Sequence, residues 1–109
     1  MIEQIEIKKP SLVREEYGGD TYEYYPLGEY VVVAPGVCGG RPTFKYTRLE
    51  VSVILSMVAR GTSIPEILRQ YSKSRISEAA ITEAVYLANR AFAEVTRPLT
   101  ESIPVLEPA

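Results

Sequence analysis

The sequence predicts a mainly α fold, a three-helix bundle with a small N-terminal β-element. Three observations lead there. From Glu50 onward, apolar residues recur at helical spacing over most of the remaining chain. Two helix starts are encoded locally, as Ser63-x-x-Glu66 and as Ser77 flanked by Ile76 and Ile81. Ahead of them, strand patterning is clearest in the short β-branched run Tyr30–Val33 and the alternating stretch Pro42–Thr47.

With 109 residues the chain allows one compact domain, and 46% apolar with 24% charged residues is ordinary globular composition. A chain of this size buries roughly 65% of its unfolded surface, enough to fold without metal or disulfide. There is no histidine, which excludes the Ser-His-Asp and Cys-His nucleophiles and every histidine-bearing zinc site. A single cysteine, Cys38, forms neither an intramolecular disulfide nor a metal cluster, and it suits a reducing compartment. No catalytic residues, metal ligands or cofactor motif are therefore expected, and the chain reads as a non-enzyme. Residues 1–10 mix Glu3, Glu6, Lys8 and Lys9 with isolated isoleucines and have no signal-peptide core. Apolar runs such as Val31–Ala34 fall far short of the ~20 residues that span a bilayer. No membrane contact and a cytoplasmic location are the expectation.

Three segments follow from composition: an acidic, tyrosine-rich arm at 1–29, a β-hairpin plus three helices at 30–97, and a tail at 98–109. In the arm, Gly18-Gly19-Asp20 is a turn signal, and Tyr17, Tyr22, Tyr24, Tyr25 and Tyr30 are five of the eight tyrosines. Their sequence neighbours Glu15, Glu16, Asp20, Glu23 and Glu29 are acidic, which favours packing or a protein interface over stacking against nucleic acid. Strands at 30–33 and 43–46 are expected to pair as a loose hairpin across the glycine-rich loop. That loop lacks the Gly-Lys-Ser/Thr ending of a phosphate cradle.

Helix one, 50–60, carries the stripe Val51, Ile54, Leu55 and Val58, with Val53 and Met57 as a second edge, and Gly61 stops it. Helix two, 63–71, opens on the Ser63–Glu66 capping box and repeats the stripe at Ile64, Ile67, Leu68 and Tyr71. A polar basic turn, Ser72–Arg75, leads into helix three, which runs from Ser77 to about Thr96 and is expected to stop at Pro98. Ile81, Val85, Ala88, Phe92 and Val95 form one stripe on it, and Ala80, Ala84, Leu87 and Ala91 a second. Two apolar stripes in a small protein predict contact with both the core and a second copy, hence a homodimer.

The net charge of −2 is unevenly spread. Residues 1–44 sum to −3, residues 45–97 to +3 and residues 98–109 to −2. The basic share is compatible with phosphate binding and equally with a solvated mixed surface. Helix 50–60, helix 63–71, turn 72–76 and helix 77–96 follow the order of helix-turn-helix domains, and also that of any small three-helix bundle.

Particular residues add to this. The run Gly39-Gly40-Arg41-Pro42-Thr43-Phe44-Lys45-Tyr46-Thr47-Arg48-Leu49-Glu50-Val51, the run Ala59-Arg60-Gly61-Thr62-Ser63-Ile64-Pro65-Glu66-Ile67-Leu68-Arg69-Gln70-Tyr71, and Ile76-Ser77 come in order and at the expected spacing. Together they resemble the family called domain of unknown function 433, over roughly residues 30–92. The motif positions are Gly39, Gly40, Arg41, Pro42, Thr47 and Arg48; where the family has glycine before Thr-Arg, this chain has Tyr46. The resemblance implies a small β-element with a homeodomain-like helix-turn-helix domain, dimerisation, and an antitoxin-like role beside a nuclease-fold toxin.

Two functions of different class follow. In the first, the chain is a non-enzymatic dimeric DNA-binding regulator of antitoxin type. Helix three would then bring Ser77, Thr82 and Tyr86 to bases, with Lys73 and Arg75 on phosphates. Glu78 and Glu83 oppose this, because they place negative charge on the same helix. In the second, the chain is a protein-interaction module whose acidic arm binds a partner such as a toxin, without DNA. Thr47 is expected to cap or turn the chain into helix one, and Arg48 to pair with a nearby acid across the dimer or the hairpin.

Overall fold

The computed structural model describes residues 11–102. The elements are β1 (Val13–Tyr17), β2 (Asp20–Pro26), β3 (Val31–Val33), β4 (Thr43–Phe44), α1 (Val51–Ala59), α2 (Ile64–Gln70) and α3 (Glu78–Ser102). All four strands join one antiparallel sheet in the order β1-β2-β3-β4. Residues 1–10 of the expected arm and 103–109 of the expected tail lie outside the described residues.

The sheet corrects the expectation of a mainly α, helix-turn-helix bundle with a small β-element. The tyrosine-rich stretch supplies two of its strands. Gly18 and Gly19 both take positive φ, 63° and 89°, and close a two-residue hairpin between Tyr17 and Asp20. Val13 pairs with Tyr24 and Glu15 with Tyr22. Strand alternation therefore puts Val13, Glu15, Tyr17, Tyr22 and Tyr24 on one face. The opposite face carries an Arg14–Glu23 ion pair at 2.6 Å and a Thr21–Glu16 hydrogen bond at 3.3 Å. A strand that alternates tyrosine with charge looks polar throughout when read linearly, which hid the hairpin.

Nor do the helices stand alone as a bundle. Val31 of β3 and Phe44 of β4 share the main core with Val51, Ile54, Met57, Ile67, Ala80, Ile81 and Ala84. Val32, one residue on, turns to the other side of the sheet and packs with Tyr24 and Ala34. β3 is thus covered on both faces, which its unbroken run of valines suits. The Thr43 hydroxyl on β4 is fully buried and has no hydrogen-bond partner among the described residues.

The helix starts lie where the sequence places them. Ser63 Oγ accepts from the Glu66 amide at 3.3 Å, and Ser77 Oγ from the Ala80 amide at 3.1 Å. The Glu66 carboxylate does not complete a reciprocal box; it accepts instead from Gln70 at 3.0 Å and pairs with Arg69. α3 differs from expectation at its far end: it continues through Pro98 to Ser102. Proline removes one backbone hydrogen bond there, and the helix runs on beyond the core, with Phe92, Val95 and Leu99 71%, 72% and 62% exposed.

Candidate functional site

Two loops far apart in sequence converge beside the hairpin tip. The first, between β4 and α1, is closed by the Phe44 amide donating to the Leu49 carbonyl at 3.1 Å. Within it the Thr47 hydroxyl donates to the Phe44 carbonyl at 2.8 Å and accepts from the Leu49 amide at 3.0 Å. Thr47 is thus the turn residue it was expected to be. The second loop is the 3₁₀ turn Ser72–Ser74, ended by Arg75 in a left-handed conformation with φ 57°. Both loops are short and pinned by their own backbone, so the side chains they carry start from fixed positions.

Those side chains line an open groove of roughly 730 Å³, walled by Tyr17, Lys45, Tyr46, Thr47, Arg48, Lys73, Ser74 and Arg75. Four of the eight are cationic and none is acidic. Among the described residues Arg48, Lys73 and Arg75 make no ion pair, so the expected partner acid for Arg48 is not found there. Unopposed like charges in one concavity focus a positive potential and are relieved by a bound anion. Lys45 is placed differently. Its ammonium lies 5.0 Å from the centre of the Tyr24 ring and 5.1 Å from that of Tyr46. A hydrogen bond with Tyr24 raises its pKa above the ordinary lysine value, so it keeps its charge.

An aromatic stack forms the hairpin side of the groove. Tyr46 holds φ 67°, a left-handed conformation that costs a non-glycine residue about 1–2 kcal/mol. Its ring stacks on Tyr17 with centroids 4.4 Å apart and planes 12° apart, and tilts against Tyr22 at 5.3 Å. A stacked pair contributes about 0.5–1.5 kcal/mol beyond its burial, comparable to that cost. The Tyr46 amide donates to the Tyr22 hydroxyl at 3.0 Å, and the Tyr46 hydroxyl donates to Glu15. That bond to Glu15 raises the Tyr46 pKa, and burial raises that of Tyr22, so both phenols stay neutral. The turn that glycine would make cheaply is here made by tyrosine, held by three residues of the hairpin.

The residues expected on a DNA-reading helix are divided by the fold. Lys73 and Arg75 line the groove. Ser77 lies in an adjoining hollow that shares Lys45, Tyr46, Thr47, Ser74 and Arg75 with it, and its hydroxyl is engaged in capping α3. Thr82 and Tyr86 face a separate depression with Glu78 and Glu83, and the Arg90 guanidinium sits 5.9 Å over the Tyr86 ring. Glu83 is committed elsewhere: its carboxylate accepts from the backbone amides of Glu29, Tyr30 and Val31 at 2.8, 2.7 and 2.9 Å. A Cβ on Gly28 would sit 2.6 Å from that carboxylate, so glycine is what lets the turn close on α3.

The remaining motif residues shape loops and do not line the groove. Gly39 and Gly40, at φ 64° and 83°, make the turn before β4. Arg41 forks onto Glu50 with bonds of 2.8 and 3.1 Å and locks the start of α1. That fork lowers the Glu50 pKa. Pro42 borders an apolar hollow with Leu27, Leu55 and Leu87. Sequence reasoning missed Lys45, Tyr17 and Tyr46 as site residues. Lys45 and Tyr46 carry a local signal, adjacency to Thr47-Arg48, whereas Tyr17 carries none. Among the described residues no acidic or thiol cluster is placed to hold a metal, and no helix is long and apolar enough to cross a membrane.

The family described as protein of unknown function (DUF433) matches residues 31–86, and the chain belongs to it. No curated protein and no solved structure matches the chain. The matched segment holds Lys45, Tyr46, Arg48, Lys73 and Arg75, while β1, β2 and the outer part of α3 lie beyond it.

Proposed function

We propose that this member of the family is a non-enzymatic nucleic-acid-binding regulator that acts as a homodimer in an antitoxin-type role. The observation that carries the reading is the groove itself: Lys45, Arg48, Lys73 and Arg75, from two separate loops, line one concavity with no acid in its walls. Phosphates supply the matching charge, and short pinned loops limit the ordering lost on binding. Glu83, one of the two acids that oppose the reading from sequence, accepts from three backbone amides, which offset part of its charge and hold it toward the β2–β3 turn. Glu78 stays exposed near Thr82 and Tyr86, which favours backbone contacts in the groove over base contacts from that face of α3.

Dimerisation is supported by the outer face of α3. Val85, Phe92 and Leu99 recur every seven residues, with Ala88 and Val95 between them at heptad offsets, and all five are exposed. That is the seam of a helix seeking another helix. The same seam favours the second reading, docking of a partner protein such as a toxin, in which nucleic acid plays no part.

Fluorescence anisotropy with labelled oligonucleotides across a salt series tests the proposal. Four phosphate contacts predict a log–log salt slope of about −3.6 on duplex and about −2.8 on single strand. The double variant K73Q/R75Q is expected to halve the slope and weaken binding, and R60Q, outside the groove, to leave it unchanged. Absence of binding at micromolar protein and low salt would overturn the nucleic-acid reading and leave the protein-docking one.

A further inference from the structure

We infer that the strand this groove accepts is single, with an unpaired base stacked on Tyr17; the inference rests on the nucleic-acid reading above. Tyr17 is 52% exposed, yet it lines the groove alongside Arg48, Lys73 and Arg75. One face of its ring is braced against Tyr46 at 4.4 Å and 12°. Tyr46 in turn is held by the Tyr22 hydroxyl at its amide and by Glu15 at its own hydroxyl. An aromatic ring so braced, also tilted against Tyr22 at 6.2 Å and half exposed at the wall of a cationic channel, is what a single strand needs: cations follow the backbone while a base stacks on the ring. A base inside a duplex has no free face to offer. Paired strands would use the cations and leave Tyr17 idle.

The shape of the site agrees. Lys45 and Arg48 come from one loop, Lys73 and Arg75 from another, and the phosphate path runs in a concavity between them rather than across a convex ridge. The acidic neighbours that argue against stacking in the linear sequence are displaced by the fold. Glu16 and Glu23 lie on the opposite face of the hairpin and Glu15 is engaged with Tyr46, which leaves Asp20, paired with Tyr17 at the hairpin end, as the acid on the same face. Tyr17 and Tyr22 also lie outside the family-matched segment 31–86. The cations and Tyr46 lie within the family-matched segment, and Tyr17 comes from the hairpin outside it.

The test compares the full-length chain on a 12-mer oligo(dT), a 12-mer oligo(U) and a 12-base-pair duplex at one salt concentration, with polyglutamate as the non-nucleic anion. Expected are at least tenfold tighter binding of the single strands than of the duplex, and quenching of tyrosine fluorescence on binding. Y17A should weaken single-strand binding by about 5- to 150-fold, the range for loss of one base–aromatic stack. The same variant should leave duplex binding unchanged, and Y17F should retain wild-type affinity because the ring and not the hydroxyl acts. Circular dichroism of Y17A checks that the hairpin variant is folded, and Y17W should bind as tightly or tighter and supplies a second readout if Y17A is unfolded. Duplex binding as tight as single-strand binding, with Y17A and Y17W without effect, would overturn the single-strand inference while keeping the groove as a nucleic-acid site. Polyglutamate bound as tightly as oligo(dT) would also overturn it, in favour of an acidic protein segment. No binding of any oligonucleotide would overturn the underlying reading instead.

Discussion

The helical layer and the β1–β2 hairpin sit against the same central strands but are held by different forces. Ile54, Ile67 and Ile81 are essentially sealed from water, and the helices that carry them share one apolar core with β3 and β4. Within β1 and β2 only Tyr24 is buried. The hairpin is held instead by ring stacking, tyrosine hydroxyls and a surface ion pair. Apolar burial is non-directional and strong, so the helical layer tolerates little change in volume. Polar and aromatic contacts are weaker and directional. They suit a region whose task is to hold one ring at one place beside a charged groove.

The largest expected effect breaks that contrast most directly. Ile54→Ala should lower the unfolding free energy by about 2–5 kcal/mol, through lost burial and a cavity, whereas Tyr17→Ala should cost about 1 kcal/mol. Chemical denaturation of both variants checks this, and equal losses would show that the hairpin is part of the core. Next is the tie between the two regions. Glu83→Ala leaves three backbone amides of the β2–β3 turn without their acceptor and should cost about 2 kcal/mol. Hydrogen exchange at Glu29, Tyr30 and Val31 should accelerate in that variant; unchanged protection would mean that the carboxylate is dispensable.

Smaller effects sharpen the account of the site. Tyr46→Ala keeps the left-handed strain and loses the stack, so it should cost about 1–1.5 kcal/mol. Tyr46→Gly loses the stack but relieves the strain, and should be more stable than the alanine variant by about 1 kcal/mol. If alanine and glycine prove equal in thermal melts, the turn is not strained. Thr43→Val removes a buried hydroxyl that has no partner and should raise stability by about 1 kcal/mol; a loss would point to a bound water at that hydroxyl. The smallest effect is on the acid side. Glu50 has its pKa lowered by the Arg41 fork, so its contribution is fully present above the ordinary value of 4.5 and is lost as pH falls through the lower folded value. Glu50→Gln should lower the melting temperature slightly at neutral pH and flatten its decline below pH 4.5, so that variant and wild type converge in acid.

Several parts of the molecule could be read from short stretches. Ser63 and Ser77 announce helix starts because a cap is a contact between residues three apart. Gly18-Gly19 announces a turn, since positive φ at two successive positions is cheap only for glycine. Lys73 and Arg75 stood out because they crowd one polar turn. The sheet was underestimated because an amphipathic strand of tyrosine alternating with charge has little apolar character to count. The continuation of α3 past Pro98 was missed because proline lowers the odds of a helix without forbidding it. For the candidate site, Tyr17 and Arg48 are 31 positions apart in sequence, and neither implies the other.

The sequence by itself determined the local grammar of this protein: helix caps, apolar stripes, turn glycines, the absence of histidine chemistry and the family to which it belongs. These follow from interactions within a turn or two of chain, which neighbouring residues specify. Only the tertiary structure decided that a tyrosine-rich stretch is half of a four-stranded sheet, that Glu83 is occupied by three amides, and that four cations from two loops meet a braced tyrosine in one groove. Such convergence depends on strand alternation and loop closure across long separations, and a linear reading of charge and aromaticity averages over the faces that the fold separates.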